Sequence, residues 1–342
     1  MTYDSIVKRL DPDRIWEHLR YLSGLDKLSG SPMAQEASSY ILRQLEQNGV
    51  PCHEEQFEEF LSNPVDSTLT LSDGTVIPCR PRSFSVNCRE GVTGELVFDP
   101  YCREKQPDWR VWEALLESFR GKIVVAHGFD ERYVKRLERH GAVGLIQVWE
   151  SGEPGIHEDT ASGVWGTPTQ DTSLLLPTIP IVGISGGDGQ GLIARLEKES
   201  LKASVTVQVE TGVFPVSMPV ADIPGRSDEF VLVSCHYDTW YLGATDNCAA
   251  NAAAIEMARC FWEHREELER GVRIVWWAGH SNGRYAGSTW YCDHYWSPLH
   301  QYCVAHITAD LLGNRGATRE GVHTTGAEGR DFFLETAAAA AP

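Results

Sequence analysis

Three short apolar segments in the last third of the chain constrain its fold more than any other feature. They are Phe230–Cys235, Gly271–Ala278 and Cys303–Ala309, and polar or glycine residues bound each one. Segments of this length and composition are typical of buried strands. Residues 249–261 and 287–296, which lie between them, have the composition of helices. Strands that alternate with helices predict an α/β fold, with a mostly parallel or mixed sheet flanked by helices.

Side chains that bind metals follow each of these predicted strands. His236 and Asp238 come after the first strand, His280 after the second and Asp310 after the third, while Asp246 lies in the turn that opens the next helix. Because the carboxyl ends of parallel strands lie side by side, we expect these residues to converge at one edge of the sheet. A carboxylate at a helix N-terminus is stable without a metal, which would account for Asp246 alone but not for the whole set. Imidazole and carboxylate groups on rigid strand ends predict a Zn²⁺ site of the hydrolytic kind.

Composition and charge exclude several classes of protein. The chain has 342 residues, enough for two domains, and its formal net charge of -18 argues against binding to nucleic acid or to an anionic membrane. We find no secretory signal and no apolar run long enough to span a membrane. The nine cysteines are scattered without a CxxC pair, which favours free thiols and a cytoplasmic location.

The earlier part of the chain predicts two further regions. Helical spacing over residues 15–22 and 34–45, with a turn at Gly30-Ser31 between them, indicates two N-terminal helices. Residues 94–211 have a separate pattern of predicted strands and helices, with a long Gly- and Pro-rich loop over 151–180. Within that loop His157-Glu-Asp159 could reach a neighbouring active site, but we expect it to be solvated.

Together these motifs resemble the aminopeptidase Y and glutamate carboxypeptidase family of co-catalytic zinc peptidases. The segment from Phe230 to Arg259 resembles the first metal motif of that family, the strand at 273–278 with the later Gly287-Ser288 its second, and the segment 307–311 its third. The two N-terminal helices resemble its start. Residues 94–211 are similar to a protease-associated domain, which some members carry as an insertion.

The resemblance implies a division of the chain and roles for the site residues. Residues 1–90 and 212–342 would form the peptidase-like domain, and residues 91–211 the inserted protease-associated domain. His236 and Asp310 would each bind one metal ion, Asp246 would bridge two, and Asp238 would orient His236. The implied cofactor is zinc, as one or two ions, or another divalent transition metal.

The second metal motif departs from the family. Where the family has two adjacent glutamates, one a general base and one a ligand, this chain has Gly279-His280-Ser281-Asn282. The family's final histidine ligand has no clear counterpart, and His323 is a weak candidate. Three roles are therefore open for His280: metal ligand, general base, or a residue of a catalytically dead site.

The resulting hypothesis is a metal-dependent, aminopeptidase-like hydrolase of peptide or small amide bonds. In it His280 and Asp238 take the catalytic roles, and His236, Asp246, His280 and Asp310 hold the metal. The substrate would be a peptide or small amide, and a homo-oligomer is possible. The alternative is an inactive or remodelled homologue that serves as a binding or assembly protein.

Overall fold

The structure, a computed structural model, describes most of the chain. It covers residues 8–102, 108–128, 131–314, 316, 318, 321, 323–327 and 329–340. The helices are α1 (Pro12–Leu22), α2 (Pro32–Gln47), α3 (Trp109–Glu117), α4 (Glu131–Arg139), α5 (Gly186–Leu196), α6 (Ala249–Glu263), α7 (Ala286–His294), α8 (Trp296–Tyr302) and α9 (Gly329–Ala340). The strands are β1 (Cys52–Leu71), β2 (Arg80–Pro81), β3 (Cys88–Asp99), β4 (Ile123–His127), β5 (Gly144–Val148), β6 (Ile181–Ile184), β7 (Lys202–Ile223), β8 (Phe230–His236), β9 (Gly271–Trp277) and β10 (Cys303–Thr308).

The strands form one mixed sheet, in the order β10-β8-β9-β7-β3-β4-β5-β6-β2, with β1 paired to β7. The pairs β10/β8 and β8/β9 are parallel, as are β3/β4, β4/β5 and β5/β6. Strand β7 is antiparallel to β1, β3 and β9. The predicted fold class, a mixed α/β sheet flanked by helices, is confirmed.

A long two-stranded ribbon, β1 with β7, joins the two halves of this sheet, because β7 also pairs with β9 on one side and with β3 on the other. Strand β1 has 20 residues and β7 has 22, and they pair from Cys52↔Ala221 to Leu71↔Ala203. The first part of the ribbon packs with β8, β9 and the long helices. Its far part shares an apolar core with β3 to β6, and Leu69 and Leu71 belong to that core. The assignment of residues 91–211 to a protease-associated domain stays a prediction.

The helices beside the site-bearing strands form where the sequence provides caps and small residues. Asp11 and Ser31 cap α1 and α2 through their side chains, and each cap precedes a proline at the first helical position. In α6 the buried face includes Ala250, Ala254 and Ala258, whose small side chains let the helix approach the sheet closely. These contacts fix the position of the turn that precedes α6, where Asp246 lies.

Candidate metal centre

Strands β8, β9 and β10 bring the predicted site residues to one edge of the sheet. His236 is the last residue of β8 and pairs with Trp277, the last residue of β9. Asp310 follows β10, whose extension is held by a hydrogen bond from the Ala309 N–H to the Ser234 carbonyl. His280 follows β9 after a turn. The prediction that strand ends distant in the sequence meet in space therefore agrees with the geometry.

His236 is the centre of the cluster, and only 3% of its surface is exposed. Its Nδ1 lies 2.9 Å from the carbonyl oxygen of Asp238. Its Nε2 lies 3.1 Å from Asp246 Oδ1 and 3.3 Å from Asp310 Oδ1. Burial alone would lower the pKa of His236, but the hydrogen bonds of these three aspartates raise it well above its ordinary value.

These contacts require a cation between the side chains. A carbonyl oxygen only accepts hydrogen bonds, so Nδ1 of His236 carries the hydrogen and a neutral ring presents a lone pair at Nε2. That lone pair faces carboxylate oxygens of Asp246 and Asp310, so the three groups repel one another unless a proton or a metal ion lies among them. One imidazole nitrogen and two carboxylate oxygens are donors that Zn²⁺ accepts.

His280 lies against His236 as a parallel ring. The ring centroids are 3.9 Å apart with an interplanar angle of 6°, and the ring of Tyr285 packs edge-on at 4.7 Å. One ligand atom each from His236, His280 and Asp310 lies within 4.8 Å of the others. Burial, with the positive charge of His236, lowers the pKa of His280 to about 4. His280 is therefore neutral at pH 7, as a ligand or a proton acceptor must be.

Asp238 is fully buried and links the two histidine-bearing segments. Its backbone carbonyl accepts from His236, and its Oδ2 accepts the N–H of Ser281 at 2.9 Å. Burial opposes ionisation, yet the His236 imidazole, whose Nδ1 lies 3.5 Å from Asp238 Oδ1, holds the pKa of this carboxyl below its usual range. Asp238 can thus orient His236 and fix the turn after β9 at the same time.

Asp246 comes from an irregular turn, and 47% of its side chain is exposed. Gly243 opens the turn with a φ of 53°, in the left-handed region that favours glycine. The Cys248 N–H donates to the Gly243 carbonyl at 3.0 Å, and the Asn247 side chain donates to the carbonyl of Ala309 at 3.0 Å. The second bond ties this turn directly to the end of β10, which carries Asp310.

Sequence reasoning missed a buried carboxyl beside this centre. Glu59, on β1, is 2% exposed, and neither of its oxygens has a hydrogen-bond partner. A Cβ at position 279 would overlap Glu59 Oε2, so the carboxyl lies directly against Gly279. Burial, with the negative charge of Asp238, raises the pKa of Glu59 to about 9. No motif marks Glu59, because β1 is far from the other site residues in the sequence.

The expectation that His157-Glu-Asp159 is solvated was wrong. Glu158 is 3% exposed and pairs with Arg80 at 2.6 Å, and the His157 ring stacks on Trp149 at a centroid distance of 3.6 Å. The preceding residue of this loop, Ile156, accepts a hydrogen bond from the Tyr241 hydroxyl at 2.8 Å. The loop is held because it packs on the segment that follows Asp238, a long-range contact that composition does not reveal.

His323 lies away from the cluster. It is exposed, and among the residues that the structure describes it does not belong to the group of mutually close ligand atoms that His236, His280 and Asp310 form. The weak candidate for a final histidine ligand is therefore not brought to the site.

A mixed α/β sheet with histidine and aspartate side chains converging at its strand ends is an arrangement that can hold a metal ion. Residues 220–342 match the profile of "Peptidase family M28". The predicted resemblance to a peptidase family is thus confirmed for this part of the chain.

Relatives and solved structures extend the likeness over most of the chain. The chain is 23% identical over 359 aligned positions to a probable glutamate carboxypeptidase of Zea mays, covering 85% of this chain and 49% of that protein. It is also 23% identical to the aminopeptidase YwaD of Bacillus subtilis, over 63% of this chain and 45% of that protein. The chain therefore spans about half the length of the curated relatives it matches.

Two solved structures share the fold. An aminopeptidase from Aneurinibacillus sp. strain AM-1 aligns with a TM-score of 0.66 and 21% identity, covering 91% of this chain and 73% of that one. A zinc aminopeptidase from Bacillus subtilis aligns with a TM-score of 0.68 and 18% identity, covering 89% and 70%. At these identities the likeness establishes the fold.

Proposed function

We propose that this chain is the catalytic part of a metal-dependent hydrolase that cleaves peptide or small amide bonds in the manner of an aminopeptidase. The observation that carries the proposal is the convergence of His236 Nε2 with carboxylate oxygens of Asp246 and Asp310 at 3.1 and 3.3 Å. Membership of residues 220–342 in a peptidase profile supports it. The similar protein from Bacillus subtilis is a zinc aminopeptidase, which supports zinc as the metal.

We assign the metal to His236, Asp246 and Asp310, with His280 beside them. Bound there, Zn²⁺ would act as a Lewis acid toward a carbonyl and lower the pKa of water toward about 7. Asp238 keeps the proton on Nδ1 of His236, which leaves Nε2 free to coordinate. Because Ser281 is a poor ligand for a second ion, we propose one ion per chain rather than two.

His280 is the residue we assign as proton acceptor. No carboxylate follows β9 in the sequence where the family has its general base. A neutral imidazole stacked on the principal ligand is close enough to the reacting atoms to accept a proton from water and pass it to the leaving amine.

Metal content and hydrolysis test this assignment together. We expect the purified protein to bind one equivalent of Zn²⁺, Mn²⁺, Co²⁺ or Ni²⁺ and to hydrolyse aminoacyl-anilides. His236→Ala should abolish both, because it removes the nitrogen that faces the two carboxylates. His323→Ala is the matched control and should change neither.

Two outcomes would refute the proposal. A wild-type protein without metal above background and without activity would favour a binding or assembly role. Retention of the metal by His236→Ala would show that the ion is held elsewhere.

We also infer that residues 91–211 form a protease-associated insertion, supported by the separate apolar core around β3 to β6. We infer a reducing, cytoplasmic location from the cysteines, which form no disulfide in the described part of the chain. No helix in the described part of the chain is both long and apolar enough to cross a bilayer. Limited proteolysis at the ends of the insertion and fractionation of the native host would test these two inferences.

A further inference from the structure

Lys27 is a fully buried lysine that the proposed mechanism does not use. Its relative exposure is 0%, and it lies in the connection between α1 and α2. Its Nζ lies 3.0 Å from Cys248 Sγ and 3.2 Å from Thr239 Oγ1. Two carbonyl oxygens, of Leu25 and Leu242, lie at 3.4 and 3.5 Å.

The partners of Lys27 cover the whole connection between β8 and α6. Thr239 stands near its start, Leu242 in its middle and Cys248 at its end, and Asp246 lies between the last two. The backbone adds a further link, because the Thr239 N–H donates to the Lys27 carbonyl at 3.2 Å. The Lys27 side chain thus forms hydrogen bonds near both ends of the segment that carries Asp246.

The outer side of this segment is more exposed, although the Tyr241 hydroxyl donates to the Ile156 carbonyl of the 151–180 loop. Tyr241 and Leu242 are 46% and 53% exposed, and no side chain caps the irregular turn at Gly243. A segment with an exposed outer face depends on its inner contacts for a fixed shape. The Lys27 ammonium supplies the inner contact that reaches residues on both sides of Asp246.

Burying the charged group of Lys27 in this space costs free energy. Burying an ammonium carries a desolvation penalty, and a salt bridge usually offsets part of it. Among the described residues no carboxylate lies within 4.0 Å of Lys27 Nζ. Its acceptors are instead a thiol, a hydroxyl and two carbonyls, and only a side chain with several N–H donors satisfies them together.

We propose that Lys27 is a positioning residue of the metal centre, which holds the 239–248 segment so that Asp246 faces His236. This inference rests on the proposed function, since it requires that the centre binds a metal. Groups that orient ligands in this way change metal affinity by about 10- to 100-fold when they are removed.

The test is the affinity of the metal-free protein for Zn²⁺, measured by competition with a chromophoric chelator. Lys27→Met fills the same space without the donors, and we expect it to weaken binding by about tenfold or more. Lys135→Met is the control, because Lys135 is likewise hydrogen-bonded, to Glu138 and Leu176, and is partly buried, but lies in the 94–211 region. It should leave the affinity unchanged.

A double-mutant cycle separates positioning from a general loss of stability. If Lys27 acts through Asp246, Lys27→Met should have almost no further effect on Zn²⁺ affinity in an Asp246→Asn background. A general loss of stability would instead weaken binding equally in both backgrounds. Should Lys27→Met not fold, Thr239→Val removes a single acceptor and should give a smaller loss of the same kind.

The results distinguish this inference from the proposed function. If the wild type binds Zn²⁺ and Lys27→Met binds it equally well, the positioning role is wrong and the proposed function stands. If the wild type binds no metal, both are wrong. Equal effects of Lys27→Met with and without Asp246→Asn would also overturn the positioning role.

Discussion

At the scale of single residues, the chemistry of this protein depends on what His236 faces. Its Nδ1 is committed to the Asp238 carbonyl at 2.9 Å, so the other nitrogen must meet Asp246 and Asp310 as a lone pair or as a protonated group. In the absence of metal the proton is favoured, because the carboxylates raise the pKa of this imidazole. A metal ion and a proton therefore compete for the same position.

His280 can be tested separately from the metal ligands. We expect His280→Gln to lower kcat by about 10²- to 10⁴-fold, the range for loss of a general acid–base group, and to retain bound metal. The metal is retained because Asp246 and Asp310 contact His236 directly, without His280. Steady-state kinetics and elemental analysis on the same preparation would check this.

The control for this change is His294→Gln, since His294 is exposed on α7 and should tolerate the substitution. If His280→Gln lost the metal along with the activity, His280 would be a ligand and the assignment as base would fail.

The sequence indicated for a physical reason that His236, Asp246 and Asp310 would lie close together, while their role as metal ligands stays a prediction. His236, Asp246 and Asp310 each sit beside a short apolar strand or at a helix start, where local pattern marks them. Glu59 and Lys27 carry no such mark, because their partners are brought to them by β1 and by the first helix connection, far away in the sequence. Contacts of this kind depend on tertiary packing and leave no local periodicity.

At the scale of secondary-structure elements, the turn after β9 is the most crowded part of the site. Gly279 has a φ of 62°, and a Cβ added there would meet both Glu59 Oε2 and the Cβ of Ala286 at the start of α7. The Ser29 hydroxyl accepts the Gly279 N–H at 2.6 Å, and Asn282 donates to the Ser29 carbonyl at 3.0 Å. This packing fixes the backbone that leads into His280.

Gly279→Ala should therefore destabilise the protein more than a positive φ alone explains. We expect it to cost about 1–3 kcal/mol more than Gly74→Ala, since overpacking carries a penalty of that size. Gly74 is the matched control, with a φ of 88° and no atom within 4 Å of an added Cβ. Urea unfolding of both variants measures the difference.

A second comparison identifies the overlapping group. In a Glu59→Ala background the extra cost of Gly279→Ala should decrease, because the carboxyl that the new methyl meets is gone. An unchanged cost in that background would mean that Glu59 is not what restricts position 279.

The positions of helices and strands along the chain were predicted more accurately than the packing of these elements against one another. The strands before His236 and after Arg270 and the alanine-rich helix appear where their patterns indicate. The packing of the 151–180 loop against Tyr241 did not follow from composition, because Gly- and Pro-rich segments are solvated in some proteins and packed in others.

At the scale of the whole molecule, one buried carboxyl should make stability depend on pH. The pKa of Glu59 is raised from an ordinary value of 4.5 to about 9, so the folded protein binds this proton more tightly than the unfolded chain does. Its contribution to stability is therefore fully present below about pH 4.5 and is lost as the pH rises toward 9.

Glu59→Gln removes this dependence. A glutamine stays neutral, so the variant should gain stability over the wild type as the pH rises, by on the order of 4 kcal/mol more at pH 8 than at pH 5. Thermal or urea unfolding at the two pH values gives the comparison. Glu58→Gln, which changes an exposed neighbour, should leave the difference between the two pH values as it is in the wild type. If the stability of Glu59→Gln changed with pH in the same way as that of the wild type, Glu59 would be ionised in the folded protein.

The pairing of β1 with β7 bears on how a gene for such a molecule can gain or lose a whole segment. Because Leu71 pairs with Ala203, the two strands are the arms of a hairpin, and residues 72–201 occupy the place of its turn. In hairpins that place is commonly taken by two residues such as Asn-Gly. A gene segment for the whole region can therefore enter or leave at one point in the coding sequence. Such an event would not reroute the strands that carry His236, His280 and Asp310.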